Sequence, residues 1–288
     1  SINRDHLAQL ISKENERFLA RHSKSGELFA KAQEVMPGGV PMSWMAKWPG
    51  PHPVYVASAK GSRFTDVDGI EYVDFCLGDT GAMVGHSPDA SIKAIKEQLD
   101  KGITFMLPTE DAAVVAKTLA DRFGVPKWQF TLTATDANRH ILRYARHVTG
   151  KSKVVVHDYC YHGTVDETFA VLDESGNTIS RENNIGPQVD PSVTTIVVPF
   201  NDLAAAEKAF ETGEVAAMLI EPAMTNIGIV LPDPGYLDAV GALAKKFGAV
   251  WIIDETHTIS VGPGGMTKLH NLRPDMLTIG KAIAGGIP

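Results

Sequence analysis

The sequence predicts an α/β protein: a mostly parallel sheet covered by helices, preceded by an N-terminal arm. Two observations carry this. From residue 128 onward the apolar runs "WQFTLT", "KVVVH", "TTIVV", "AAMLI", "AVWII" and "MLTI" recur with helical segments between several of them, and strands alternating with helices argue for a parallel sheet buried on both faces. The 288 residues are also 44% apolar and only 21% charged, which allows a sizeable core and excludes a disordered chain.

The elements follow in order. Residues 1 to 35 form a polar, helix-tending arm in which Leu7, Leu10 and Ile11 share a face that Phe18 and Leu19 continue. A Pro/Gly-rich connector, "VMPGGVPMSWMAKWPGPHP", carries two tryptophans. "GSRFTDVDGIEYVDFCLG" then reads as a hairpin turning at Asp68-Gly69. "HSPDASIKAIKEQLDKG" is a helix, with Ser87 as the expected N-cap and Gly102 as its stop; Thr109 opens another that ends at Gly124. Two further helices are expected at about 135–149 and 234–247. There is no internal repeat or low-complexity segment.

Composition narrows the function classes. The net charge is −7, with 27 basic and 34 acidic residues scattered along the chain, so nucleic acid is not an expected partner. Two cysteines, Cys76 and Cys160, are too few for a disulfide framework and suit a reducing compartment. No apolar run approaches the roughly 18 residues of a membrane span, and "SINRDHLAQL" has neither the basic head nor the apolar stretch of a signal peptide. A cytoplasmic protein without membrane partners is expected.

On an open parallel sheet, ligands bind beyond the carboxyl ends of the strands, so those positions are read first. After "WQFTLT", Thr133 and Thr135 cap a helix whose free N–H groups and positive dipole end suit a phosphate. After "KVVVH", Tyr161 and His162 precede a glycine, and the tyrosine ring could lie on a planar ligand. After "AVWII" comes Asp254-Glu255, and a carboxylate at the end of an apolar strand is costly unless paired. After "MLTI", Gly280 frees the backbone and Lys281 projects from the strand end. Each has an ordinary alternative: a simple capped helix, satisfied core or surface side chains, a solvated lysine.

Two ligands could satisfy Asp254. Magnesium in a P-loop site requires G-x-x-x-x-G-K-[ST] between a strand and a helix. Gly150-Lys151-Ser152 has Ala145 in the first glycine's place and lies between a helix and a strand instead, so that reading fails and no metal is expected. The other is a protonated pyridine nitrogen. Pyridoxal phosphate combines such a nitrogen with a phosphate, a planar ring and an aldehyde that condenses with a lysine amine. The capped helix, Tyr161, Asp254 and Lys281 would each hold one part.

With these residues in view, the chain resembles the class III aminotransferases of pyridoxal-phosphate fold type I, most closely the branch containing glutamate-1-semialdehyde aminomutase. The likeness rests on "DVDGIEYVDF", "GHSPDASIKAI", "TATDAN", "CYHG", "LIEP", "IIDETHT" and "RPDMLTIGKAIAGGIP", in that order. It implies that Lys281 carries the cofactor, that Asp254 pairs with the ring nitrogen and that Tyr161 stacks on the ring. Thr133, Ala134 and Thr135 would form the phosphate loop, and His162, Thr256 and His257 would complete the cofactor pocket. It further implies a homodimer, with an amine or amino acid and a keto acid as substrates. Residues 1–66 would belong to a small domain and 67–288 to the large cofactor-binding domain, with a C-terminal small domain lying beyond this chain.

The sequence departs from the family pattern in several places. Ala134 stands where the family has glycine, which would cost about 1–2 kcal/mol if that position needs positive φ. Thr256 replaces a frequent valine. The connector offers Trp44 and Met45 where the aminomutase branch places an arginine for a carboxylate, and Asn226 replaces a glutamate of ornithine-type members. The resemblance therefore implies a transaminase that favours an apolar or aromatic amine or β-amino acid. An aminomutase or racemase is the alternative, and a catalytically silent cofactor-binding protein is a third reading.

Overall fold

The computed structural model describes residues 2–287. Its chain forms two compact units, Ser1–Lys101 and Gly102–Pro288.

The first unit begins with α1 (Arg4–Arg21), whose N-cap Asn3 accepts the His6 N–H at 3.0 Å. The expected shared face exists, but Leu7, Leu10, Ile11 and Leu19 are exposed on it. Helix α2 (Ser23–Gln33) is capped from a distance. Asp68, in the hairpin turn, accepts the N–H groups of Lys24 at 2.8 Å and Ser25 at 3.0 Å. Strands β1 (Val56–Lys60), β2 (Arg63–Asp66) and β3 (Glu71–Val73) pair antiparallel in that order. The β2–β3 turn is the expected one, with Gly69 at φ 85°. A domain boundary at residue 66 falls between these two paired strands, inside the compact unit.

Helix α3 (Asp89–Leu99) corrects the capping expectation. Pro88 is the N-cap; Ser87 sits at φ 49° and gives its carbonyl to Lys60 Nζ at 2.7 Å. Proline fixes the extended entry that a capping serine would otherwise hold.

The second unit contains α4 (Glu110–Phe123), α5 (Ala134–Thr149), β4 (Lys153–His157), β5 (Ala170–Leu172), β6 (Thr178–Ser180) and α6 (Pro191–Thr194). It continues through β7 (Thr195–Val198), α7 (Leu203–Glu211), β8 (Val215–Ile220), α8 (Tyr236–Lys246), β9 (Val250–Asp254), α9 (Gly265–Leu269) and β10 (Met276–Thr278). Five of these strands form a parallel sheet in the order β10-β9-β8-β4-β7, as the alternation predicted.

Side chains alternate across this sheet into two cores. Val155, Met218, Ile220, Trp251 and Ile253 pack with Phe210 of α7 and Leu237 and Val240 of α8. Val154, Val156, Ala217, Leu219 and Ile252 pack with Ile141, Leu142 and Ala145 of α5. At Gly241 a Cβ would lie 2.6 Å from the Trp251 ring, so glycine allows α8 to seat on β9.

"WQFTLT" is not a strand: residues 128–133 carry no ladder, and Phe130 and Leu132 are 54% and 96% exposed. A strand needs a neighbouring strand for its hydrogen bonds, and neither edge strand, β10 or β7, pairs with this segment. Its bonds are local instead, Trp128 Nε1 to the Val125 carbonyl at 2.9 Å and Thr131 Oγ1 to the Thr133 carbonyl at 2.8 Å.

Candidate active site

Strand order places the crevice. The chain runs from β4 outward to β7, then crosses back to lay β8, β9 and β10 on the other side of β4. The topological switch therefore falls at the β4/β8 pair, where the loops after neighbouring strands part and leave room for a ligand.

Helix α5 enters at this edge. Thr133 is its N-cap at φ −141°, ψ 159°, and its Oγ1 accepts the Asp136 N–H at 3.0 Å. Ala134 is the first helical residue and is not among the positive-φ positions. The anticipated strain at this non-glycine residue is therefore absent, because the helix starts here in the right-handed region open to any residue. Thr135 Oγ1 accepts the Thr164 N–H at 3.2 Å.

Two glycines let other loops close on this helix end. A Cβ on Gly280 would lie 2.7 Å from the Ala134 Cβ, and one on Gly163 would lie 3.0 Å from the Thr135 Cα. The N-terminus of α5, the loop after β4 and the loop after β10 thus converge. Their free N–H groups and dipole end favour an anion.

Asp254 ends β9 and is 3% exposed. Its Oδ2 accepts from His162 Nδ1 at 2.9 Å and from Asn138 Nδ2 at 2.9 Å, and its Oδ1 accepts the Thr256 N–H at 3.0 Å. Burial pushes this carboxyl up, but His162, with Thr256 and Asn138, outweighs it and holds the group at about 2. Burial opposes a charged His162 ring in turn, while Cys160 and the Asp254 carboxylate raise it well above its ordinary range. The Nδ1–Oδ2 hydrogen bond between them favours an ionised carboxylate and a proton on the ring.

Asn138 is the residue that motif reading undervalued. It is fully buried, donates its second Nδ2 hydrogen to the His162 carbonyl at 3.0 Å, and accepts Thr278 Oγ1 on its Oδ1 at 2.8 Å. One amide thereby ties α5, the loop after β4, β9 and β10 together. Its signal in the sequence is a polar residue on the apolar stripe of α5, one turn before Ile141 and Leu142.

Lys281 follows β10, whose Thr278 lies in register with Asp254 on β9. It is half-buried at φ 50°, opening a short turn to Ala284. Non-glycine residues in that region are strained and concentrate at functional sites. Tyr161, 38% exposed, is held through its N–H by Glu221 Oε1 at 3.2 Å, which joins the loops after β4 and β8. His257 is half-buried and caps the turn Thr258–Val261.

Thr133, Ala134, Thr135, His162, Asp254, Thr256 and Lys281 thus gather around one sheet end. Trp44 and Met45 lie in the first unit, on the turn Ser43–Ala46, where Trp44 is 61% exposed. Asn226 is exposed on an excursion between Met224 and Val230. Among the described residues, no His, Cys, Asp and Glu cluster could hold a metal.

A family profile described as "Aminotransferase class-III" matches residues 44–288. The chain belongs to this family. It is 36% identical over 269 residues to a glutamate-1-semialdehyde 2,1-aminomutase of Anaeromyxobacter dehalogenans, covering 92% of this chain and 63% of that one. A crystal structure of a glutamate-1-semialdehyde aminomutase from Pseudomonas aeruginosa superposes with a TM-score of 0.95 at 45% identity, covering 100% of this chain and 63% of the other. An omega-transaminase from Sphaerobacter thermophilus superposes with a TM-score of 0.85 at 30% identity, covering 92% and 62%. The chain therefore spans a little under two thirds of these class III relatives.

The fold type I architecture expected from the resemblance is the one found. Pyridoxal phosphate, the cofactor of this family, passes a test on the side chains themselves. A carboxylate has about four acceptor positions. Three on Asp254 are used, and the one left on Oδ1 suits a cationic ring N–H. Thr256 Oγ1, buried without a partner among the described residues, lies beside Gly280 and is available to a polar ligand atom.

Proposed function

We propose that the protein to which this chain belongs is a pyridoxal-phosphate-dependent aminomutase, which takes an amino group from one carbon of its substrate and returns it to another. The supporting observation is the buried, ionised Asp254 with an acceptor position to spare, combined with the similarity to proteins named glutamate-1-semialdehyde aminomutase. The preference between the two leading sequence readings is thereby reversed.

When bound, pyridoxal phosphate supplies an aldehyde that takes up an amine and a ring that accepts electrons. The N-terminal turn of α5 would hold the phosphate through backbone N–H groups. Asp254 would keep a proton on the ring nitrogen, because a carboxylate fixed by three donors does not take that proton itself. His162 and Asn138 fix the carboxylate, and Tyr161 would lie against the ring. Lys281 would anchor the aldehyde at rest, then move a proton to and from the substrate carbon. Thr256 and His257 would close the remaining side. A cytoplasmic homodimer is part of the same proposal.

One observation favours a transaminase as the second reading. The stretch 42–48 offers Met42, Trp44, Met45 and Trp48 and contains no arginine. Such side chains bury apolar groups well and leave a carboxylate unpaired, apart from Lys47. The decisive experiment compares kcat/KM for glutamate-1-semialdehyde alone with that for an aromatic amine donor plus a keto acid. Faster turnover of the semialdehyde supports the aminomutase; faster transfer from the aromatic amine establishes the transaminase. An absorbance band at about 400–430 nm on adding pyridoxal phosphate tests the cofactor itself, and a band that no amine donor bleaches would point to a silent binder.

A further inference from the structure

Three arginines lie on a flank of α5 beside its apolar stripe. Arg139, Arg143 and Arg146 recur at i, i+4 and i+7, which puts them on one helical face. They line a cleft of about 280 Å³ with Thr164, Asp166, Glu167 and Gln188.

The charges in this cleft are unevenly matched. Arg146 is spoken for on two sides: its Nη1 donates to Glu167 Oε1 at 2.6 Å and its Nε to the Ser152 carbonyl at 2.8 Å. Its Nη2 is buried and has no partner among the described residues. Arg139 and Arg143 form no ion pair among the described residues, and both are exposed. Asp166 also lines the cleft and subtracts from its positive potential, while Glu167 is neutralised by Arg146.

Two unpaired like charges one turn apart cost a helix a few tenths of a kcal/mol, and a buried guanidinium N–H without an acceptor costs more. A compact oxyanion between Arg139 and Arg143 relieves the first. Guanidinium groups recognise carboxylate and phosphate oxygens with paired N–H donors, and the hydroxyl of Thr164 and the amide of Gln188 supply neutral donors at the same wall.

We propose that this cleft is a binding site for a small oxyanion, a phosphate or a dicarboxylate, separate from the cofactor's own phosphate position. The occupant would bear on the cofactor loop. Thr164 lines the cleft, and its N–H is the one bound to Thr135 Oγ1 in the first turn of α5. Gly163 alone separates it from His162, the partner of Asp254. The inference does not rest on the proposed reaction.

Isothermal titration calorimetry tests it on the full chain loaded with pyridoxal phosphate, so that the cofactor's own anion position is filled. Inorganic phosphate and succinate are titrated separately at constant ionic strength, with chloride as the control. Saturable binding of about one anion per chain is expected. The Arg139→Gln/Arg143→Gln double variant should weaken it by about tenfold to a hundredfold, the range for losing a charge-assisted bond. Both residues are exposed, so the variant should fold, and an unchanged cofactor absorbance band verifies that it has. Tighter binding of phosphate or of succinate identifies which source of oxyanion the cleft takes. Non-saturable heats for both anions, or equal affinity in wild type and double variant, overturn the proposal.

Discussion

Replacing Asn138 by leucine tests the polar cluster most directly, because the two side chains have nearly the same shape and differ in hydrogen bonding. The substitution removes three bonds at once: to the Asp254 carboxylate at 2.9 Å, to the His162 carbonyl at 3.0 Å, and from Thr278 Oγ1 at 2.8 Å. A bond to a charged group contributes about 1.5–3 kcal/mol, and each buried group left unpaired costs about 1–3 kcal/mol. Burial of the leucine offsets about 1–2 kcal/mol. The net loss is about 4 kcal/mol, readable as a lowered urea midpoint. Thr278→Val removes only the hydroxyl and should cost about 1 kcal/mol. In a double-mutant cycle the two should couple by about 1–2 kcal/mol, since they share one bond.

The same variant alters the acid limb. Asp254 is held at about 2, below its ordinary 3.8, so its contribution is complete above the ordinary value and is lost as pH falls toward 2. Without the Asn138 donor its folded value rises, and the acid unfolding midpoint should move to higher pH. A loss under 1 kcal/mol, additivity with Thr278→Val and an unmoved acid midpoint would together refute the assigned network.

Three further outcomes are expected. Lys281→Ala should abolish turnover while leaving the urea midpoint close to wild type; borohydride reduction and peptide mapping of the wild type should place the cofactor on Lys281, and label on another lysine would disprove that role. Asp254→Asn should retain cofactor by absorbance but lose on the order of 10²-fold or more in kcat; near wild-type turnover would make the carboxylate structural. Ala134→Gly should destabilise the protein by about 0.5–1 kcal/mol, because a right-handed helical residue gains nothing from glycine's freedom and pays its entropy. Stabilisation in thermal melts would show that the position is strained after all.

The parallel sheet was legible in the sequence because its interior strands are buried on both faces, so the runs "VVV", "AAMLI" and "AVWII" had to be apolar. The strand ends were legible for the same reason, since a charged residue such as Asp254 is conspicuous where a buried run stops. "WQFTLT" alternates apolar and polar residues as a strand can and is no strand: the pattern records a preference, whereas a strand also requires a neighbour to bond to. Ser87 and Ala134 show the limit on a smaller scale, since a cap or a strained backbone is decided by φ and ψ. The His162–Asp254–Asn138–Thr278 cluster lay further out of reach. Its members stand 92 and 116 residues apart at Asp254, and 140 apart at Thr278, and sequence periodicity reports only which way a side chain faces along its own element. Which distant polar groups meet is settled when β9 and β10 pair in register and α5 packs across them, because only there does an unpaired buried carboxylate become costly enough to require these partners.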